Sequence, residues 1–418
     1  MTRITVVGLG FVGLTTALGF SEKGFKVFGY DIAHKYRSLL QKGSISFHEP
    51  GLQEALRRHG EDRFVIVDEL DEAVLSSQFV FLCVGTPRSV DGSVDLTQLF
   101  TAIKQILKRI SRNTYQVLVV KSTIPPGSTK DEILPFIEKN GFKVGADIGL
   151  ATNPEFLREG CAWQDFIHPD RIVVGTTDEQ SEKALKQLYS GFDAPLFGVS
   201  FNTAEFIKYL SNALLSTMIS YANEMAMIAD TVGGIDVSQS FKVLHRDKRW
   251  SGDPANMASY VYPGCGFGGY CLPKDTEAIY MHAKDKGYEA KMLHNVLDVN
   301  NRVKDFLVER VTRTTPTSST VGILGLSFKP NSDDVRDTPA RAIIERLLAR
   351  GYDKIVAYDP MATEAFGERY DLPIRYAGSL TEIVNAASVF VLLTAWDEFK
   401  RNKALFGNRV IHDFRYCL

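Results

Sequence analysis

Paired cysteines are missing from this chain. Its five, Cys83, Cys161, Cys265, Cys271 and Cys417, are odd in number and scattered, without the spacing of metal ligands. That pattern excludes a disulfide framework, predicts no metal site and points to a reducing compartment. A charge excess is missing too: 48 Lys and Arg stand against 50 Asp and Glu, a formal net charge of -2. No global positive field draws the protein to nucleic acid or an anionic membrane, so any anionic ligand must be held locally. Long apolar runs are also lacking. The longest candidate, residues 389–395, falls far short of a bilayer span and reads as a buried strand. The chain opens directly into a strand pattern, with no charged leader and no apolar h-region. We expect a cytoplasmic protein that partners neither nucleic acid nor membrane.

A chain of 418 residues is too long for one ordinary core and implies two or three domains. The first element is informative. An apolar run at residues 3–7 is followed by Gly8-Leu9-Gly10-Phe11-Val12-Gly13, a helical stretch to Lys23, Gly24 as a stop, and a second run ending in Tyr30-Asp31. A GxGxxG string alone is weak evidence. Here it follows a strand, opens a helix and has an acidic residue at the end of the next strand, which is the context that dinucleotide binding needs. Gly8, Gly10 and Gly13 permit a tight turn, the approach of a pyrophosphate to the helix N-terminus, and close helix packing, with Phe11 and Val12 between them. Asp31 accepts from a ribose hydroxyl and repels a 2′-phosphate, which favours NAD over NADP. Strand and helix patterns keep alternating to about residue 200, predicting one doubly wound parallel sheet whose carboxyl-end loops carry ligands. Those loops are the unusual segments: Cys83-Val84-Gly85-Thr86-Pro87, residues 122–127 and residues 153–160.

From residue 202 to 232 runs a long helical pattern with no proline or glycine, apolar or small on most of its circumference. Such a helix is buried between domains or subunits. Lys208 and Asn212 are four apart on it, hence on one face; a lysine in such company either snorkels to water or serves a site. Further on, residues 263–275 read PGCGFGGYCLPKD. Here a thiol, Cys271, ends a glycine-rich loop at the start of a helix, with Pro273 suited to a first turn and Asp275 one turn on. Exposed amides at that position favour a thiolate and hence a nucleophile; the competing reading is a tight turn with an inert buried cysteine.

Near the end, residues 320–327 and 354–359 repeat the opening strand and its Tyr-Asp strand end. The repeat lacks two glycines, because Ser327 and Pro330 stand where Gly10 and Gly13 would be when Gly325 is aligned with Gly8. Lys329, Asn331, Asp333, Asp334 and Arg336 fill the loop instead. The expectation is a smaller α/β domain holding a different ligand by side-chain contacts, after a linker at residues 312–320. The fold class is therefore α/β, two Rossmann-like doubly wound parallel-sheet domains joined by a long central helix and helical region. The expected division is residues 1–200, residues 201–312 with the Cys271 loop and a dimerisation role, and residues 313–418.

Taken in order, these motifs resemble the UDP-glucose/GDP-mannose dehydrogenase family over essentially the whole chain. The form FGGYCLPKD is similar to that of bacterial UDP-glucose 6-dehydrogenases, whereas members acting on N-acetylated UDP-hexosamines commonly carry a histidine where this chain has Tyr270. The resemblance implies oxidation of a sugar CH2OH to a carboxylate with two NAD per turnover, through a thiohemiacetal and a thioester on Cys271. It implies Lys208 and Asn212 as oxyanion stabilisers, and Glu155, Thr123 and Asp275 as the groups that order water and move protons, Glu155 first. For NAD it adds Val84, Gly85, Thr86, Pro87, Thr123, Glu159, Lys274 and Arg336 to the glycine loop and Asp31.

For a UDP-sugar the resemblance implies Glu155, Phe156, Leu157, Arg158, Glu159, Lys208, Asn212, Tyr262, Gly264, Phe267, Gly268, Lys329 and Arg415. It adds Arg249, in Asp247-Lys248-Arg249, as an arginine reaching the neighbouring subunit, although the spacer to Gly264 is longer than in similar bacterial members. A basic residue usual near the adenosine ribose falls by Lys35 and Tyr36, neither of them assigned. A homodimer or higher assembly follows. GDP-mannose or a UDP-N-acetylhexosamine is the alternative substrate, and a catalytically inactive nucleotide-binding protein the alternative of another class.

Overall fold

The computed structural model describes residues 2–60, 62–111, 114–247, 262–285, 287 and 290–418. They fall into two compact units, Met1–Leu210 and Ser211–Leu418.

The first unit is built on eight strands: β1 (Arg3–Val7), β2 (Lys26–Tyr30), β3 (Phe64–Ile66), β4 (Phe79–Leu82), β5 (Gln116–Val120), β6 (Ile148–Thr152), β7 (Ile172–Thr176) and β8 (Leu196–Val199). Their order is β3-β2-β1-β4-β5-β6-β7-β8. The strand order reverses direction between β1 and β4, which opens a crevice at the carboxyl ends there. Period-2 alternation sends Ile4, Val6, Phe79, Phe81, Val117 and Val119 to one face, and Val7, Val80, Leu82, Leu118 and Val120 to the other. Both faces are apolar because helices cover both, as a parallel sheet requires.

Parallel pairing is interrupted once, where β6 and β7 run antiparallel. A parallel return needs a long crossover, and residues 153–171 hold only the six-residue helix Ala162–Ile167. The segment that follows β6 therefore stays at the sheet's carboxyl edge, where the candidate loop at residues 153–160 is wanted.

The predicted long helix is present as Phe201–Val232, and the boundary between the units falls inside it. The second unit continues with the helices Val237–Leu244, Cys271–Asp285 and Lys291–Thr314. The last of these runs on through Thr314, so the linker is shorter than expected and begins at Thr315. Five parallel strands follow, β9 (Val321–Leu324), β10 (Ile355–Tyr358), β11 (Arg375–Tyr376), β12 (Val389–Leu392) and β13 (Val410–Asp413), in the order β11-β10-β9-β12-β13. That order repeats the first five positions of the larger sheet. The apolar run at residue 389 is β12, an interior strand between β9 and β13, and none of the described helices is long and apolar enough to cross a membrane.

Candidate active site

The three fingerprint glycines meet three separate demands. Gly8 has φ +88°, and a Cβ there would lie 2.7 Å from the Cys83 carbonyl oxygen; a Cβ on Gly13 would drive into the Gly8 carbonyl oxygen. A Cβ on Gly10 would meet nothing within 4 Å. The loop is thus tight on its inner side and open at Gly10, beside the N-terminus of the helix Phe11–Glu22, whose first turn carries no acidic residue. Open backbone at a positive helix end fits a pyrophosphate. Asp31, half-buried at the end of β2, accepts from the Leu9 N–H at 2.8 Å and the Ala33 N–H at 2.9 Å. These residues fit NAD. Next to Asp31 lies a basic residue that sequence reasoning missed while attending to Lys35 and Tyr36. Arg37 is buried, donates to the Asp31 carbonyl oxygen at 2.5 Å and to Asp68 at 3.2 Å, and lies 5.1 Å over the Tyr30 ring.

The loops after β4, β5 and β6 knit together at the same edge. The Thr86 hydroxyl donates to the Thr123 carbonyl oxygen at 2.9 Å, and Ser122 donates to the Val84 carbonyl oxygen at 2.7 Å. Gly85, the most exposed residue of its loop, and half-buried Val84 and Pro87 therefore share a scaffold with Thr123. Glu205, on the long helix, accepts from the Gly127 and Thr129 N–H groups at 2.6 and 2.9 Å, fixing the end of the Thr123 loop. Burial pushes its carboxyl pKa up against those hydrogen bonds.

One turn beyond Glu205, Lys208 forms a buried ion pair with Glu155 at 2.8 Å, the side chains being 5% and 7% exposed. This lysine does not snorkel to water. The other Glu155 oxygen accepts from the Leu157 N–H at 2.6 Å. Burial raises the Glu155 pKa, yet the Lys208 charge and these hydrogen bonds outweigh it and leave the group below the usual carboxylate range. Glu155 is therefore held as an anion, the form that can take a proton from water. Phe156 is covered by Arg171 at 4.0 Å and by Lys208 at 5.8 Å. The Arg158 guanidinium is exposed and bonded to Asp165 at 2.6 Å, and Glu159 is half-buried.

In the second unit, Cys271 is the first residue of its helix and is half-exposed. None of the five cysteines forms a disulfide. Burial drives the Cys83 and Cys265 thiols up to about 12 and Cys417 up to about 11. Those three are inert at neutral pH.

The loop before Cys271 is gripped at several points. Asn300 accepts from the Phe267 N–H at 2.7 Å and donates to its carbonyl oxygen at 3.1 Å. The Gly269 N–H donates to the Arg336 carbonyl oxygen at 2.9 Å, and a Cβ on Gly268 would lie 2.5 Å from the Asp337 carbonyl oxygen. Asn223 accepts from the Gly264 N–H, and the Arg415 guanidinium fills the space where a side chain at 264 would go. The Tyr262 hydroxyl donates to the Tyr416 carbonyl oxygen at 2.9 Å. Asn223 and Asn300 were not singled out from the sequence: a lone asparagine on a helix carries no local signal, and each meets the loop from about 33 to 41 residues away.

Behind the cysteine, Asp275 is 1% exposed, accepting from the Asn212 amide and paired with Lys274 at 2.6 Å. Burial pulls the Lys274 pKa down, but Asp275 reverses this and leaves it raised. The Tyr270 ring is flanked by Lys274 at 5.5 Å and Arg336 at 4.6 Å, and Arg336 forks onto Asp334 at 2.7 and 2.9 Å. Lys329 lies 5.4 Å over the Phe328 ring. Arg249 lies outside the described residues. Among the described residues, no group of three or more His, Cys, Asp and Glu could hold a metal ion.

Three successive stretches of the chain match the UDP-glucose/GDP-mannose dehydrogenase family: residues 2–193 its NAD binding domain, 202–302 its central domain and 322–418 its UDP binding domain. A UDP-glucose 6-dehydrogenase of Bacillus subtilis (strain 168) is 37% identical over 99% of this chain and 93% of its own length. Another, of Haloferax volcanii, is 37% identical over 95% of this chain and 92% of its own length. Among solved structures, a UDP-glucose dehydrogenase from the hyperthermophilic archaeon Pyrobaculum islandicum matches with a TM-score of 0.91 at 34% identity, covering 100% of this chain and 95% of that one.

Proposed function

The chain belongs to the UDP-glucose/GDP-mannose dehydrogenase family, and we propose that it is an NAD-dependent UDP-glucose 6-dehydrogenase that makes UDP-glucuronate by a four-electron oxidation. The observation that carries the reading is Cys271, a half-exposed thiol opening a helix behind a clamped glycine loop, in a chain whose glycine fingerprint and Asp31 fit NAD. A single alcohol oxidation has no use for that thiol. A second oxidation, from aldehyde to acid, does.

When bound, NAD accepts two electrons in each of the two oxidations. Gly8, Gly10, Phe11, Val12, Gly13 and Asp31 would hold its pyrophosphate and ribose, with Val84, Gly85, Thr86, Pro87, Thr123, Glu159, Lys274 and Arg336 as further contacts. The chain's own steps follow. Lys208 and Asn212, four apart on one helix, stabilise the oxyanion of each stage. The Cys271 sulfur adds to the aldehyde carbon to give a thiohemiacetal, and the second oxidation converts this to a thioester. Glu155 then takes a proton from water, which adds to the thioester carbonyl, and the C–S bond breaks to release the uronate and the thiolate. Thr123 and Asp275 order that water. Phe156, Leu157, Arg158, Glu159, Tyr262, Gly264, Phe267, Gly268, Lys329 and Arg415 hold the UDP-sugar, with Arg249 reaching a neighbouring subunit's sugar. The cationic members supply the local positive charge that the overall balance lacks. Arg158 contributes chiefly backbone, because its guanidinium is engaged with Asp165.

The domain division at residues 1–200, 201–312 and 313–418, the homodimer and the cytoplasmic location belong to the same proposal. Exposed Phe206, Leu210, Leu214 and Tyr221 stripe one face of the long helix at spacings of four, four and seven, which supports pairing with a second copy. A progress curve tests the whole. We expect two NADH per UDP-glucose consumed, with GDP-mannose and UDP-N-acetylglucosamine turned over far more slowly, and Cys271→Ala that binds NAD but makes no uronate. One NADH with free aldehyde would overturn the reading.

A further inference from the structure

A second buried cation stands near Glu155. Lys121, the residue after β5, is 5% exposed, and its ammonium donates to Oδ1 of Asn153 at 3.1 Å. Asn153 is itself fixed, accepting from the Tyr189 hydroxyl at 2.6 Å and donating to the Val173 carbonyl oxygen at 2.8 Å. The asparagine that anchors Lys121 is therefore two residues from Glu155 on one short, rigid segment. The ionisable groups acting on Lys121 are Cys83 from the end of β4, Glu155 from the loop after β6, and Lys208 from the long helix. Cys83 is a neutral thiol at physiological pH. What remains is one carboxylate between two lysines; burial pulls the Lys121 pKa down, and the Glu155 carboxylate works against that to keep the ammonium charged. Burying an ammonium with no carboxylate in contact is unfavourable, and an apolar side chain would pack there at less cost.

The reaction proposed above, on which this inference rests, gives the extra charge a use. An oxyanion on the substrate competes with Glu155, 2.8 Å away, for the single charge of Lys208. Once it turns to the substrate, Glu155 loses its main counter-charge while its burial, the largest influence on it, continues to favour the protonated form. Only the Leu157 N–H and Lys121 still favour the anion. We propose that Lys121 is a positioning residue whose charge keeps Glu155 ionised while Lys208 serves the oxyanion, with Asn153 holding that charge in place. It touches neither substrate nor cofactor and acts through Glu155.

The test uses the full chain with 13C-labelled glutamate side chains, the Glu155 signal being identified by its loss in Glu155→Gln. Lys121→Gln keeps a donor for Asn153 and removes the charge; Lys121→Arg keeps both. In Lys121→Gln the Glu155 titration midpoint should rise by about one pH unit, and in Lys121→Arg it should stay with the wild type. With UDP-glucose and NAD, the acid limb of kcat in Lys121→Gln should move the same way, kcat at pH values well below the wild-type midpoint should fall by up to roughly tenfold, and KM should change less than about threefold. Coincident Glu155 midpoints in wild type and Lys121→Gln would overturn the inference, as would a Lys121→Arg midpoint displaced toward neutrality, the deciding result should the glutamine variant not fold. If no nucleotide-sugar is oxidised by the wild type, the proposed reaction falls, and the titration still decides whether Lys121 sets the charge of Glu155.

Discussion

Asp31 and Asp359 end equivalent strands in the two sheets, each following a tyrosine whose carbonyl oxygen accepts from a left-handed glycine, Gly8 or Gly325, at 2.8 Å. Each also accepts at 2.8 Å from the N–H of the next residue, Leu9 or Leu326. Beyond that point they diverge. Asp31 is half-buried and takes one further bond, from Ala33. Asp359 is 2% exposed and accepts in addition from Ser327 N–H, Ser327 hydroxyl, Trp396 Nε1, Met361 N–H and Ala362 N–H. The same backbone device thus leaves one carboxylate with capacity for a ribose and saturates the other. The glycine loops differ in the same sense: one runs straight into a helix at Phe11, while the other carries Lys329, Asp334 and Arg336 before its helix begins at Pro339. What distinguishes a dinucleotide site from its structural echo is unspent hydrogen-bonding capacity, not the path of the chain.

Replacing each aspartate by alanine is the strongest test of that contrast. Asp359→Ala should destabilise the protein by roughly 4 kcal/mol or more, because each buried donor left without a partner costs about 1–3 kcal/mol. Asp31→Ala should cost only about 1 kcal/mol, since water can reach the freed amides. Its main effect should be a roughly ten- to hundredfold rise in KM for NAD, together with new tolerance of NADP. Chemical denaturation and cofactor kinetics measure both, and equal stability losses would end the distinction. Next in size, Gly13→Ala should lose about 3 kcal/mol through forced backbone movement. Gly10→Ala, with nothing near its new methyl group, should keep the fold and weaken NAD binding roughly tenfold. A Gly10→Ala protein as unstable as Gly13→Ala would mean that the open face of the loop is a packing surface.

The contrast also marks what can be read from a sequence. The glycine spacing, the Tyr30-Asp31 strand end, the long helix read at residues 202–232 and Cys271 at a helix start are local patterns, each contained within one element or its cap, and they were legible. So was the absence of two glycines from the repeat. The saturation of Asp359 was not, because it depends on Trp396, 37 residues away. Arg37 was passed over because its value lies in reaching the Asp31 carbonyl oxygen and Asp68 together. Lys121 reads as the polar end of an apolar strand until Asn153, from the next strand's loop, is seen to hold it. The reversed strand β7 was hidden because the strand pattern is the same in either direction, and only the missing crossover helix tells them apart. Local sequence encodes elements and their caps; pairing of distant polar groups is decided by topology.

The smallest effect concerns acid, and it separates the units by pH. Strand β5 of the larger sheet, QVLVV, holds no titratable side chain, whereas β13, in the corresponding position of the smaller one, carries His412. Burial, with the nearby Arg310 charge, lowers the His412 pKa from its ordinary 6.5, so the folded state prefers the neutral ring, set 3.1 Å from the Thr315 hydroxyl. The stability this gives is whole above pH 6.5 and drains away as pH falls through the folded value, because the unfolded chain takes the proton first. In the first unit a buried carboxylate held down is Glu155, with an ordinary value of 4.5, and its contribution is whole above that pH and lost only further into acid. Between pH 7 and 5 His412 should therefore weaken the second unit, while Glu155 leaves the first unchanged. Scanning calorimetry over that range should show a declining transition that flattens in His412→Gln. An identical decline in the variant would move the acid sensitivity elsewhere and leave the two sheets alike in this respect.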